Sequence, residues 1–173
     1  IELNNIIEEY VDDVIDQYCA DNNSENWNFE SLKSEILNTF SLDLKDINLF
    51  NNKSMLRDAV IKGTSQIISF KKENVDEELF DHFQRFIILK TIDKEWQDHL
   101  YMMDQLREGI GLRAYGQKNP LVEYKHEGFA MFESMMKSTN TETLKRIFRT
   151  DISRLTQSTP MTHRAQPKNI QTK

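Results

Sequence analysis

Two apolar helical stripes separated by a glycine-containing break constrain the fold of this chain most strongly. The first stripe steps by three or four residues, which is one face of an α-helix, and consists of Trp96, Leu100, Met103, Leu106 and Ile110. Gly109 and Gly111 interrupt it, and glycine is unfavourable inside a helix. Asn119 and Pro120 then restart a helix as N-cap and first helical residue. The second stripe comprises Leu121, Tyr124, Gly128, Met131, Phe132, Met135 and Met136. The pattern therefore predicts an antiparallel helical hairpin.

The segment between the two stripes predicts a contact with a partner. A loop that only reverses the chain is usually small and polar, whereas this one carries larger side chains, namely Leu112, Arg113, Tyr115, Gln117 and Lys118. We expect Tyr115 to lie at or near the turn and to be exposed. Trp96, in contrast, shares its stripe with Leu100 and Met103, so we expect it to be buried.

The sequence predicts helices in the rest of the chain as well. Amphipathic or apolar periodicity predicts helices over residues 1–20, 29–40, 54–70 and 76–108, with a weaker helical end over 146–155. Ser54 is a plausible N-cap for the third of these. From residue 153 onward the composition is polar and aperiodic, which predicts a disordered tail. The first helix is already under way at Ile1, with no cap and no initiator methionine, and this suggests a piece of a longer protein. The predicted fold class is all-α.

Charge is distributed unevenly along the 173 residues. Residues 1–136 carry 14 basic and 26 acidic side chains, a net charge of −12, whereas residues 137–173 carry eight basic and two acidic ones, a net charge of +6. An acidic body argues against general nucleic-acid binding, but the basic end could touch acidic lipid, a protein or RNA. The single cysteine, Cys19, excludes an intramolecular disulfide framework and fits a reducing compartment.

The sequence offers little that would support catalysis or metal binding by this chain. It contains no phosphate-binding loop of the G-x-x-x-x-G-K-[ST] type and no paired cysteines or H-E-x-x-H segment for zinc. His99 and Asp104 could act as an acid/base pair, but a histidine beside an apolar stripe is more often a packed, hydrogen-bonded helix residue. We therefore expect no catalytic residue, no metal and no cofactor in these 173 residues. An independent enzyme using His99 and Asp104 remains an alternative.

The hairpin region closely resembles the C-terminal helical region of the SecA family, the motors of bacterial and plastid protein export. Residues 96–118 carry the pattern W-x-x-H-L-x-x-M-D-x-L-R-x-G-I-x-L-R-x-Y-x-Q-K without a gap. The resemblance is strong over residues 76–150 and looser over residues 1–75. It implies three regions: a helical wing domain at 1–75, the two-helix finger of the helical scaffold at 76–150, and a flexible C-terminal tail at 151–173.

The resemblance also implies roles for individual residues. The finger loop that contacts the preprotein and the channel would contain Leu112, Arg113, Tyr115, Gln117 and Lys118, with Tyr115 as the tip tyrosine. The first finger helix would be supported by Trp96, His99, Met103 and Leu106. The family often has aspartate before the loop proline where this chain has Asn119, and either residue caps a helix. Many bacterial members end in a cysteine-rich zinc segment that this sequence lacks.

The partners that the resemblance implies are a SecY-type channel, an unfolded preprotein and the motor domains of the same parent chain. Acidic lipids could bind the basic C-terminal end, and nucleic acid is not expected. The parent would be an ATP-driven translocase that uses ATP and Mg²⁺, located in the cytoplasm at the inner membrane or in the plastid stroma. The alternative function is a helical nucleic-acid-binding or protein-interaction module that uses Arg107, Arg113, Lys118 and the basic tail.

Overall fold

The computed structural model describes residues 3–21, 23–111 and 119–152. Within those ranges the chain forms five α-helices and no β-strand, which confirms the predicted all-α class. The helices are α1 (Leu3–Tyr18), α2 (Phe29–Phe40), α3 (Lys53–Glu73), α4 (Glu77–Ile110) and α5 (Pro120–Arg149). Two short 3₁₀ turns, Ser24–Asn26 and Ile47–Leu49, lie in the connections. The predicted tail beyond residue 152 lies outside the described residues.

Asparagine side chains start three of these helices. Asn28 Oδ1 accepts a hydrogen bond from the Ser31 amide, and Asn52 Oδ1 accepts one from the Ser54 amide at 2.7 Å. The cap of α3 is thus Asn52 and not Ser54, since the helix begins at Lys53. Asn119 caps α5 by accepting from the Leu121 amide at 3.0 Å, with Pro120 as the first helical residue. The predicted restart of the hairpin is confirmed in position and in mechanism.

Both helices of the hairpin end at residues other than those predicted. Helix α4 continues past Gly109 and ends with Gly111 as its C-cap in right-handed helical conformation. Helix α5 is continuous to Arg149, so the helical end predicted over residues 146–155 forms its last turn but stops at Arg149. The reason is tertiary packing: the last turns of α5 are buried through Thr143, Leu144, Ile147 and Phe148. That burial stabilises a helix across the stretch of Ser, Thr and Asn residues at 138–141, which have modest helix propensity.

One hydrophobic core unites the N-terminal helices with the base of the hairpin. Helix α1 buries one full face, which comprises Leu3, Ile6, Ile7, Tyr10, Val11, Val14 and Ile15. Phe40 of α2 is fully buried, with its ring edge-on to Tyr10 at 5.5 Å and to Phe148 of α5 at 4.9 Å between centroids. Phe80 and Phe83 join the same core from α4. The core therefore contains residues from both sides of the predicted domain boundary at residue 75. That boundary stays a prediction.

Polar contacts fix the C-terminal end of α5 against the other helices. Lys71 Nζ, near the end of α3, donates a hydrogen bond of 2.6 Å to the main-chain oxygen of Thr150, the C-cap of α5. Carbonyls at a helix end lack intrahelical partners, and a cation there also interacts favourably with the helix dipole. Partial burial lowers the pKa of Lys71. Earlier in α5, the ammonium group of Lys137 forms an ion pair with Asp13 of α1 at 3.1 Å.

Truncating the ring at the centre of this core should destabilise the chain strongly. We expect Phe40→Ala to lower the free energy of unfolding by about 3–5 kcal/mol, because Phe40 is fully buried and contacts rings from α1 and α5. Phe70→Ala, at an exposed position of α3, serves as the control and should change it by less than about 0.5 kcal/mol. Urea unfolding followed by circular dichroism measures both, and similar losses for the two variants would contradict the core described here.

Candidate functional site: the α4–α5 hairpin

Helices α4 and α5 form a long antiparallel pair. They contain 34 and 30 residues, which at 1.5 Å per residue gives lengths of about 50 and 45 Å. His99 of α4 meets Phe132 of α5, and Met103 lies against Gly128, so residue numbers rise along one helix as they fall along the other. A Cβ atom at Gly128 would lie 3.1 Å from Met103 Cε. The glycine thus allows a close approach of the two helices at this level.

The five residues predicted for the finger loop lie outside the described residues, and the structure neither supports nor contradicts their role. They are Leu112, Arg113, Tyr115, Gln117 and Lys118. The structure does describe the two residues that flank them. Gly111 ends α4 and Asn119 caps α5, both at the end of the hairpin opposite the shared core.

The predicted supporting residues do not all face the same way. His99 and Leu106 are buried, and Met103 is partly buried against Gly128. The predicted burial of Trp96 is wrong for this chain, because its side chain is 45% exposed. The error comes from treating the apolar residues of α4 as one stripe. His99, Met103 and Leu106 turn toward α5, while Trp96 and Leu100 lie farther round the helix and remain open to solvent.

His99 lies between two aromatic rings. Its ring centroid is 5.5 Å from that of Trp96 and 6.1 Å from that of Phe132, which meets it edge-on. Its Nδ1 atom is buried and has no hydrogen-bond partner among the described residues. The expectation of a packed histidine holds, but the expected hydrogen bond is missing at this atom. Burial of a polar atom without a partner is destabilising by roughly 1–3 kcal/mol, so His99 is a weak point in the interface between the helices.

The geometry does not support the alternative in which His99 and Asp104 act as an acid/base pair. Asp104 lies on the surface of α4 and pairs with Arg107 at 3.3 Å, whereas His99 is buried among aromatic rings.

In the part of the chain that the structure describes, no group of three or more His, Cys, Asp or Glu side chains could hold a metal ion. Among the described residues, no helix combines the length and the hydropathy that a membrane span requires.

Comparison with known proteins identifies the family. The family model for the SecA Wing and Scaffold domain matches residues 1–151. The chain belongs to the SecA wing and scaffold family. Among curated relatives, the protein translocase subunit SecA of Finegoldia magna is 42% identical over 147 residues, which cover 83% of this chain and 16% of that protein.

Other SecA proteins match over similar ranges. The protein translocase subunit SecA of Clavibacter sepedonicus is 31% identical over 154 residues, covering 84% of this chain and 16% of that protein. That of Endomicrobium trichonymphae is 34% identical over 154 residues, covering 87% and 18%. The chain thus spans less than a fifth of the length of these SecA relatives. The family assignment agrees with the all-helical fold and with the hairpin predicted from residues 96–136.

Sequence reasoning did not place several large apolar side chains of this SecA-type hairpin that are exposed. Phe86 and Leu89 of α4 and Phe129 of α5 are exposed although they are large and apolar. The available signal was the wide distribution of apolar residues around α4, which indicates packing on more than one side. That signal predicts several neighbours for α4, but it cannot tell which residues face which neighbour.

Replacing the buried histidine by an aromatic hydrocarbon should not weaken the fold. We expect His99→Phe to leave the free energy of unfolding unchanged or to raise it by up to about 2 kcal/mol, because the change removes the unpaired Nδ1 and keeps a ring between Trp96 and Phe132. Leu106→Ala on the same interface should lower it by about 2–5 kcal/mol. Chemical denaturation of both variants is the measurement. A loss above about 1 kcal/mol in His99→Phe would mean that Nδ1 makes a stabilising hydrogen bond.

Proposed function

We propose that this chain is the part of a SecA-type translocase that presents a two-helix finger to the polypeptide in the SecY channel, and that its scaffold restrains the ATPase motor. The observation that carries the proposal is the hairpin itself. Its two long antiparallel helices are anchored at one end in the shared core. At the other end they terminate at Gly111 and Asn119, on either side of residues 112–118. This arrangement suits a stiff arm that carries a contact loop.

The way the arm is anchored suits the transmission of movement. At its base, Phe80 and Phe83 of α4 and Ile147 and Phe148 of α5 are buried in the core with α1 and α2. Toward the far end, α4 and α5 support each other through contacts such as Met103 against Gly128. Packed protein interiors deform little. A rotation of the wing would therefore move the far end of the arm with it.

The side chains proposed for the loop suit contact with many different polypeptides. Tyr115 offers a large apolar ring with a polar hydroxyl, and such a side chain gives contact area without demanding one particular partner sequence. Leu112 would add apolar contact, and Arg113, Gln117 and Lys118 would add polar contacts. A translocase must handle many sequences, so a contact based on area fits this task better than one based on specific hydrogen bonds.

ATP hydrolysis belongs, in this proposal, to other parts of the parent protein. The sequence has no phosphate-binding loop, so ATP and Mg²⁺ would be held by the motor domains, with which the scaffold would interact. The SecY channel, the preprotein and the motor domains are the proposed partners. The parent would act in the cytoplasm at the inner membrane or in the plastid stroma, and acidic lipids could bind the basic C-terminal end.

The test is a tyrosine substitution in a full-length translocase that carries this region. We expect Tyr115→Ala to reduce ATP-driven transport of a preprotein sharply and to leave basal ATPase activity largely intact, because the residue contacts the moving chain and not the nucleotide. Tyr115→Phe should retain most transport, since the contact depends on the ring. Transport into channel-containing vesicles and ATP turnover without preprotein are the two measurements.

A matched control is available on the same hairpin. Tyr101 is an exposed tyrosine of α4, 66% accessible, and Tyr101→Ala removes an equal side chain away from the loop. It should transport at close to the parent rate. Normal transport by Tyr115→Ala would refute the tip role for this residue and move attention to Leu112. Equal losses in both variants would show that the hairpin surface in general is required, and not the loop.

A further inference from the structure

The half of the hairpin next to the loop is held together by few buried side chains. Beyond Phe83, the buried residues of α4 are Thr91, His99 and Leu106, and the first buried residue of α5 is Met135. One of these, His99, has a buried Nδ1 without a hydrogen-bond partner among the described residues. Regions with few buried apolar contacts open at a lower free-energy cost than a core does. Each further contact between the two helices therefore matters in this half.

Met103 supplies one such contact with its thioether group. A Cβ atom at Gly128 would lie 3.1 Å from Met103 Cε and 3.5 Å from Met103 Sδ. The sulfur and its methyl group thus lie against the backbone of α5, at the place where a side chain of residue 128 would begin. The Met103 side chain is only partly buried, so a solute as small as hydrogen peroxide can reach its sulfur.

Oxidation of this sulfur would change the contact in both size and polarity. A sulfoxide carries one more oxygen than a thioether and converts an apolar side chain into a polar one. An oxygen directed at Gly128 would need space that the close approach of the helices does not leave. The main-chain N–H groups within α5 already donate to carbonyls of their own helix, so they offer the oxygen no free donor. A polar group without a partner is unfavourable in an interface, and the two helices would separate to let water reach it.

We propose that Met103 is a redox-sensitive site, and that its reversible oxidation to the sulfoxide by hydrogen peroxide loosens the half of the hairpin next to the loop. The sulfur lone pair attacks one peroxide oxygen, the S–O bond forms and the O–O bond breaks. The departing hydroxide takes the proton from the transferred oxygen and leaves as water, so sulfur is oxidised and the peroxide is reduced. A methionine sulfoxide reductase reverses the change. This inference concerns the packing of α4 on α5 and is independent of the proposed role of the loop.

The test treats the 173-residue chain with hydrogen peroxide. Tandem mass spectrometry locates the added oxygen, and hydrogen exchange measures amide protection over residues 99–110 and 120–131. We expect exchange in both ranges to become at least about tenfold faster when Met103 is oxidised, and methionine sulfoxide reductase to restore the slow rate. Met103→Leu keeps an apolar side chain of similar volume, so it should retain slow exchange after the same treatment.

Met102→Leu is the matched control, because Met102 is the preceding residue of the same helix and is 42% exposed. It should lose protection on oxidation as the native chain does. The proposal is overturned if Met103 stays unoxidised while Met102 is converted, if Met103 sulfoxide forms without faster exchange, or if Met103→Leu loses as much protection as the native chain. Slower exchange after oxidation also overturns it, since the sulfoxide oxygen would then strengthen the interface by accepting a hydrogen bond, for example from His99.

Discussion

The packing of Phe40 against Tyr10 and Phe148 is the contact on which the rest of this structure depends. It joins α1, α2 and the last turns of α5 in one core, to which α4 contributes Phe80 and Phe83. Together with the contacts of Lys71 with Thr150 and of Lys137 with Asp13, it fixes the direction of the base of the hairpin relative to the N-terminal helices. Because α4 and α5 share this base and then run together, the position of their far end follows from the packing near residues 40 and 148.

Two residues give the interface between α4 and α5 its particular character, namely Gly128 and His99. Gly128 lets Met103 approach α5 closely, while His99 fills the next turn of α4 with a ring whose Nδ1 has no partner among the described residues. An interface built only for stability would place a hydrocarbon side chain at that position. The histidine is therefore a feature that burial alone does not explain.

The sequence was sufficient to predict the helical class, the hairpin and the cap at Asn119, because those features depend on local periodicity and local hydrogen bonding. It failed for Trp96, which is exposed, and it extended the helical end to residue 155, whereas α5 ends at Arg149. Both features depend on tertiary contacts. The exposure of Trp96 depends on which face of α4 meets α5, and the length of α5 depends on burial of Leu144 and Ile147. No local pattern contains that information. The predicted contact residues at 112–118 lie outside the described residues and stay a prediction.

The two faces of α4 explain why its apolar residues could not be assigned to one stripe. A helix with one neighbour needs one apolar face, and its period then follows the 3.6-residue turn. Helix α4 instead carries an inner face that packs against α5 and the core, and outside that face it carries exposed apolar side chains, namely Phe86, Leu89, Trp96 and Leu100. The exposure of Trp96 thus follows from the direction in which α4 turns its inner face, and not from the number of apolar residues around the helix.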